Sequence, residues 1–463
     1  MGIADSLSEY VRSTEYGQLD GRTVAEAKRR IADSLGCAFG AFDERPVEVG
    51  RQVAEADYKE GASTVLGTSI RRTADIAAFV NGTMIRELDF NDMYLSKEPA
   101  HPSDNLAAIL AVAEQEGSSG KEILLATTLA YEVQCRLADC ANLMDKGWDH
   151  VAYGLVSSAL GAGKLMGLTA EQLTQAVNIA LGSHIALRQV RTGEPSYWRG
   201  ASFANAAKNA IFSALLARKG MTGPSPIFEG SSGFFKQVSG PFEVDPQSFG
   251  GRGGEFRLKD TYLKNYPAEY HSQSAIAAAL EVMRKIRDLG DVESVEVRTQ
   301  KVGFDHLAKH PEMYAPSRKE IADRSFPFII AMAFIEGRVD TLTYGSGNYL
   351  NPKVREFAAR IAVKEDDALT AMYPEHIANR VSVKLKGGGS LSEQIDDPLG
   401  HPSNPMADGD VEAKFRGLVG TRLSQAQMKT VMDFVWTLEK RDGVSPLMEA
   451  CEVAGDPSHP AKA

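Results

Sequence analysis

The sequence predicts a mainly α-helical protein, a large all-α domain with a smaller α+β domain inserted into it. Three patterns point that way. Apolar residues recur at three- and four-residue steps up to about residue 245, alternate with polar ones in two later stretches, and return to helical spacing after Asn404. At 463 residues the chain also exceeds the ~250–300 at which a single core stops growing, so about two domains are expected.

Taken in order, Val24, Ala27, Ile31, Leu35 and Ala38 mark a helix over about Thr23 to Phe39. Ser119 with Glu122 reads as a capping box opening a helix through Cys135, and Thr169 with Gln172 repeats the device before Leu173, Ala176, Val177 and Ala180. Many of these segments are rich in Ala and Gly, which lets helices approach closely. The character changes after the glycine-rich "SFGGRGGEF". A helix follows from about Ser272 to Ile286. Val295, Val297 and Thr299 then alternate in "ESVEVRTQ", as Val381, Val383 and Leu385 do in "NRVSVKLKGGG", which is the pattern of half-buried strands. Helical segments near 320–336 and 352–363 lie between them, and "VEAKFRGLV" and "AQMKTVMDFVWTLEK" close the chain as helices. The expected boundaries are 1–258 and 397–463 for the helical domain and 259–396 for the inserted one.

Composition narrows the function. Apolar residues make up 43% and charged residues 24%, as in ordinary globular proteins. A net charge of −10 repels phosphate backbones and anionic lipid, so nucleic acid and membrane surfaces are poor partners. A small anion needs only a local cluster of cations. Cys37, Cys135, Cys140 and Cys451 have no spacing that suits zinc, an iron–sulfur cluster or a disulfide scaffold, so a reducing cytoplasm and no metal are expected. The N-terminal "MGIADSLSEYVRSTEYG" lacks the apolar core of a signal segment, and no stretch approaches the ~18 apolar residues of a membrane span.

Some motifs fall away on inspection. "LGAGKLMG" has Ser158 and Leu165 where a phosphate loop needs Gly and Ser or Thr, so its glycines read as close-packing positions. His306 and His310 are four apart, but no third ligand stands at a familiar spacing, and a solvated helix end is the plainer reading. The turn in "EGSSGFFKQV" is a weak ligand signal.

The chemistry concentrates elsewhere. "RELDFNDMYLSKEPAHPSDN" packs Asp89, Asn91, Asp92, His101, Ser103 and Asp104 between two helical stretches, and places His101 at a helix N-terminus with Ser103 or Asp104 as N-cap. "DKGWDHVAYG" puts Asp149 and His150 at the start of another helix. "SHIALRQVRTGEPSYWRGASFANAAKNA" holds His184, Arg188, Arg191, Arg199, Asn205 and Lys208, a cation density that suits several carboxylates. Each segment alone is compatible with a polar loop or a solvated helix edge. All three together favour a site.

These segments carry a resemblance. "LDFNDMYLSKEPAHPSDNLAAIL", "LRQVRTGEPSYWRGASFANAAKNAIFSALLARKGMTGPSPIFEG", "YPAEYHSQSAIAAALE", "ADRSFPFIIAMA" and "GHPSNPMADGDVEAKF" resemble, in order, the motifs of the MmgE/PrpD family, with the LDFND…HPSDN form nearest its 2-methylcitrate dehydratase branch. The resemblance implies an all-α domain with a smaller lid, a homodimer, no cofactor and no metal. It implies a lyase acting on a small polycarboxylate such as 2-methylcitrate or citrate. Family active-site positions fall on Asp89, His101, His150, Arg199 and Lys264. Arg199 stands where many members carry Lys, Phe328 where relatives commonly carry Tyr, and Arg324 where the branch usually shows His; these departures bear on substrate choice.

Dehydration needs a base for a C–H proton beside a carboxylate and an acid for the departing hydroxyl. His101 and His150 are assigned the proton transfers, with Asp89 orienting one imidazole or acting as base. Arg191, Arg199, Lys208 and Lys264 are assigned the carboxylates. Within the same family, decarboxylation of cis-aconitate or epimerisation of a dicarboxylate would use similar groups. A non-catalytic helical binding protein is the alternative of another class, and retention of the histidine and aspartate motif positions argues against it.

Overall fold

The computed structural model describes residues 2–194, 196–344, 347–420 and 422–454. The chain divides into two compact units, one of Met1–Thr261 with Ala407–Ala463, the other of Tyr262–Met406.

The first unit is built of helices. Gly21–Gly40, Ala74–Glu87, Leu106–Glu116, Gly120–Cys140, Val151–Leu165, Ala170–Ser183 and Trp198–Arg218 form its body, and Asp408–Val419 and Gln425–Trp436 complete it from the C-terminal end. Both capping boxes form as the sequence predicts: Ser119 with Glu122 opens Gly120–Cys140, and Thr169 with Gln172 opens Ala170–Ser183. Small residues set the spacing. A Cβ on Gly154 would stand 2.2 Å from the Phe203 ring, so Val151–Leu165 and Trp198–Arg218 can pack as they do only with hydrogen at that position. Gly161 and Gly163 of "LGAGKLMG" serve the same end, whereas Gly167, with φ 68° and open space where a Cβ would stand, is there for the left-handed backbone after the helix and not for close packing. A Cβ on Gly163 would meet Leu173 at 2.5 Å, and Lys164 donates to the carbonyls of Arg12 and Thr14. The turn in "EGSSGFFKQV" is likewise structural, since the Glu229 carboxylate accepts from the Ile3 N–H at the start of helix Ile3–Ser13.

In the second unit a four-stranded sheet runs in the order Ile361–Glu365, Val292–Thr299, Asn379–Leu385, Ser390–Ile395. The first pair is parallel and the others antiparallel. Helices Gln273–Met283 and Phe326–Glu336 cover it, and Val295, Val297, Val381 and Val383 enter one core with Ile276, Phe326, Ile330 and Phe334. Two boundaries differ from the sequence expectation. The helix expected over 352–363 stops at Ala358, and Ile361–Glu365 becomes a strand because Ile361 and Val363 alternate into the sheet. The helix expected over 320–336 is broken before Phe326, where the Ser325 hydroxyl caps the Phe328 N–H and Pro327 sits in the first turn.

Candidate active site

Helix Ala74–Glu87 delivers the first group. Its chain leaves through Leu88, and Asp89 takes φ 51°, the one non-glycine residue with positive φ among those described. A side chain there costs about 1 kcal/mol over glycine, so the Asp89 carboxylate is held in a strained position. It accepts from Arg86 at 2.8 Å.

The chain then folds back on itself. Asn91 donates to the Ser103 hydroxyl and to the Asp104 carboxylate, and the Asp92 carboxylate accepts from the Ser103 N–H at 2.9 Å. These contacts pin "LDFND" against "HPSDN" and hold His101 at the entry of the 3₁₀ turn Pro102–Asn105. The α-helix proper begins only after Asn105, so neither Ser103 nor Asp104 is its N-cap. Both ring nitrogens of the buried His101 are engaged. Nδ1 lies 2.7 Å from the Asp92 carbonyl and Nε2 lies 3.0 Å from a terminal nitrogen of Arg86. A carbonyl only accepts and a guanidinium only donates, so this geometry selects the neutral ring with its proton on Nδ1.

His150 stands at the start of Val151–Leu165, its ring centroid 5.7 Å from that of His101. Its Nε2 is 3.3 Å from Arg191, and its Nδ1 is buried with no hydrogen-bond partner. Burial, the positive charges of Arg191, Arg86 and Arg188, and an opposing pull from Asp149 bring the imidazole down to about 3, so it is neutral at physiological pH. Arg191 grips Asp149 with two nitrogens, at 2.9 and 3.4 Å, and donates to the Arg199 carbonyl at 3.0 Å. Burial pushes the Asp149 carboxyl up, but His150 and Arg191 outweigh it and hold it low, at about 2.

Asp104 behaves in the opposite way. Burial drives its carboxyl up from 3.8 to about 7 against the opposing charge of Arg86. Its stabilising contribution is therefore complete below about pH 4 and drains away as pH rises through about 7. Asp104→Asn, which cannot ionise, should gain melting temperature relative to the native protein as pH goes from 5 to 8. Thermal melts at the two pH values check this, and a constant gap between the proteins refutes it.

The structure thus brings Asp89, His101, His150 and Arg191 into one group, the two histidines buried and Asp89 and Arg191 half-buried, with the Arg199 main chain attached to it. Lys208 does not join Arg199. Nine positions along helix Trp198–Arg218 (208 − 199) amount to about two and a half turns, which puts the lysine half a revolution away on the opposite face. Lys264 is buried in the second unit. Phe328 is a core residue of that unit, 2% exposed and packed 6.1 Å from the Tyr344 ring, so its position is an apolar one. Sequence reasoning missed Arg86, the residue that touches both Asp89 and His101. Its i,i+3 spacing from Asp89 at a helix end was the available signal.

His306 and His310 do not share a helix, because Lys301–Leu307 ends between them. His306 instead faces His271, with ring centroids 5.9 Å apart, and with Glu269 they form the one group of three possible metal ligands among the described residues. Both Glu269 oxygens already accept from His271, one from Nδ1 and one from the backbone N–H.

Residues 5–247 match the MmgE/PrpD N-terminal domain and residues 266–438 the MmgE/PrpD C-terminal domain. The chain is 29% identical over 455 residues to a 2-methylcitrate dehydratase of Cupriavidus necator, covering 92% of this chain and 91% of the relative. It is 30% identical over 398 residues to the 2-methylcitrate dehydratase of Escherichia coli K12, covering 80% of each. It is 26% identical over 463 residues to the human cis-aconitate decarboxylase, covering 96% of this chain and 93% of the relative. Both domains are matched, in order, over most of the chain: this lyase belongs to the MmgE/PrpD family.

Proposed function

We propose that this protein dehydrates a small polycarboxylate, 2-methylcitrate or citrate, by general acid/base catalysis without a metal. The observation that carries the proposal is the pair of neutral imidazoles, His101 and His150, framed by the buried cation Arg86 and by Arg191 and Arg188. A neutral imidazole is a competent base for a C–H proton beside a carboxylate. The guanidiniums offset the charge that builds on that carboxylate as the proton leaves. His101, whose lone pair lies on Nε2, is the better placed base; His150, whose Nε2 faces Arg191 and whose proton therefore sits on the unpartnered Nδ1, serves the departing hydroxyl with Asp89. Arg191 and Arg199 receive substrate carboxylates. Lys264 is kept in that role on the family resemblance, with Tyr262–Met406 as the lid, whereas the position of Lys208 argues against it.

Decarboxylation of cis-aconitate is the second reading, favoured by the full-length similarity to the human decarboxylase. The same arginines would stabilise the carbanion left when carbon dioxide departs. A homodimer is part of the proposal, supported by the exposed Leu187, Tyr197, Trp198, Phe212 and Met221 of the first unit. So is a cytoplasmic setting, supported by cysteines too few and too widely spaced for a disulfide scaffold. No helix among the described residues is long and apolar enough to cross a membrane.

Incubating the purified protein with 2-methylcitrate, citrate and cis-aconitate, with and without chelator, tests the proposal by mass analysis. Loss of water from one of the first two, unchanged by chelation, is expected. Loss of carbon dioxide from cis-aconitate alone, or activity that chelation abolishes and a metal restores, overturns it.

A further inference from the structure

Arg86 enters the reading above only as a cation that offsets charge on the substrate carboxylate, yet it lies at the centre of the site. Its guanidinium is buried and donates to Asp89 at 2.8 Å and to His101 Nε2 at 3.0 Å, while its Nε stands 3.8 Å from Asp104 with no hydrogen bond of its own. A buried cation normally sits opposite carboxylates only. Here one of its two close contacts is spent on an imidazole nitrogen, which cannot be protonated while the contact lasts.

We infer that Arg86 is a positioning residue for His101, holding the ring in its Nδ1–H form and keeping Nε2 unprotonated until substrate enters. This rests on His101 taking part in proton transfer. Two effects act together. The hydrogen bond into Nε2 and the Asp92 carbonyl at Nδ1 leave the ring a single tautomer and a single orientation. The positive charge at Nε2 disfavours a second positive charge on the ring. The charged and titratable groups around His101 include Arg86, Asp89, Asp92 and Asp104 from its own fold-back, with His150, Asp149 and Arg191 from the adjoining segments. Asp89 offsets Arg86 by accepting from it and Asp104 by lying 3.8 Å from its Nε, but neither replaces it at His101 Nε2, and Arg191 adds a second cation on the His150 side. An arriving substrate carboxylate supplies the missing anion. Drawn to Arg86, it loosens the contact with Nε2 and frees that lone pair at the moment a proton must be accepted.

The test separates charge from shape. Arg86→Gln retains an amide that can donate to Nε2 but removes the charge; Arg86→Lys keeps the charge and loses the planar fork. Titration of the His101 ring resonance in labelled protein, assigned with His101→Gln among the nine histidines, reads the effect without reference to turnover. The expected result is a His101 midpoint at least about one pH unit higher in Arg86→Gln than in the native protein, and a shift less than half as large in Arg86→Lys. The acid limb of kcat/KM should move up by the same amount in Arg86→Gln. If removal of the buried cation prevents folding, Arg86→Gln with Asp104→Asn relieves the stranded carboxylate and is measured in its place. An unchanged His101 midpoint in a folded variant overturns the inference. A shifted midpoint with an unmoved acid limb leaves Arg86 in its role and removes His101 from proton transfer.

Discussion

His101→Gln lowers kcat by at least about a hundredfold on whichever polycarboxylate the protein turns over, because a positioned proton-transfer group typically contributes that much or more. Glutamine is the informative replacement. The ring is buried and bonded on both sides, so truncation to alanine strands a guanidinium N–H and the Asp92 carbonyl at about 1–3 kcal/mol. Loss of activity in His101→Ala would then mix chemistry with folding. A glutamine carbonyl can accept from Arg86 in place of Nε2, and the melting temperature should fall less than in the alanine variant. Steady-state kinetics and thermal melts of both variants decide the matter. Native turnover in His101→Gln would remove the residue from the mechanism.

Arg191→Gln should produce the largest loss of stability, about 3–5 kcal/mol, the usual result of stripping one partner from a buried ion pair. Asp149 is fully buried, and Arg191 is its one bidentate partner; Arg188, at 4.0 Å, is too far to take over. The pH dependence has a definite sign. The Asp149 carboxyl is depressed in the folded protein, so its contribution is present above about pH 4 and is lost as pH falls through about 2. The variant should therefore be equally penalised at pH 6 and pH 8. Asp149→Asn combined with Arg191→Gln should regain at least half of the loss, since no charge is then left stranded. Chemical denaturation of the single and double variants measures both quantities. A single variant as stable as the native protein would show that the pair contributes nothing. The same substitution should reduce kcat/KM, because Arg191 also borders His150.

Much of this architecture was legible because its signals are local. Capping boxes at Ser119 and Thr169, the heptad-like run from Val24 to Ala38 and the alternation around Val295 and Val381 each depend on residues a few positions apart. Short elements between helices were less legible. Ser390–Ile395 alternates only weakly and lies at the sheet edge, and Ile361–Glu365 follows a helix so closely that the two periods blur. In the site, His101 and His150 stand out as rare residue types in dense polar segments. Arg86 does not. At the end of Ala74–Glu87 it resembles any cation placed to complement a helix C-terminus, and its meaning comes from His101 and Asp104, 15 and 18 positions further on. Lys208 shows the complementary limit. Cation density in sequence ignores the half turn that separates it from Arg199.

The hydrogen bond from His101 to the Asp92 carbonyl has one further consequence. The acceptor is an atom that every residue type possesses, so no codon change at position 92 removes it. What can alter it is the path of the chain between Asp89 and Ser103, through the strained Asp89, the Asn91 contacts and the Asp92–Ser103 bond. Lineages that exchange the side chains of this loop can thus inherit the same tautomer unchanged, while one insertion in it would reset the protonation of a histidine that was itself never mutated.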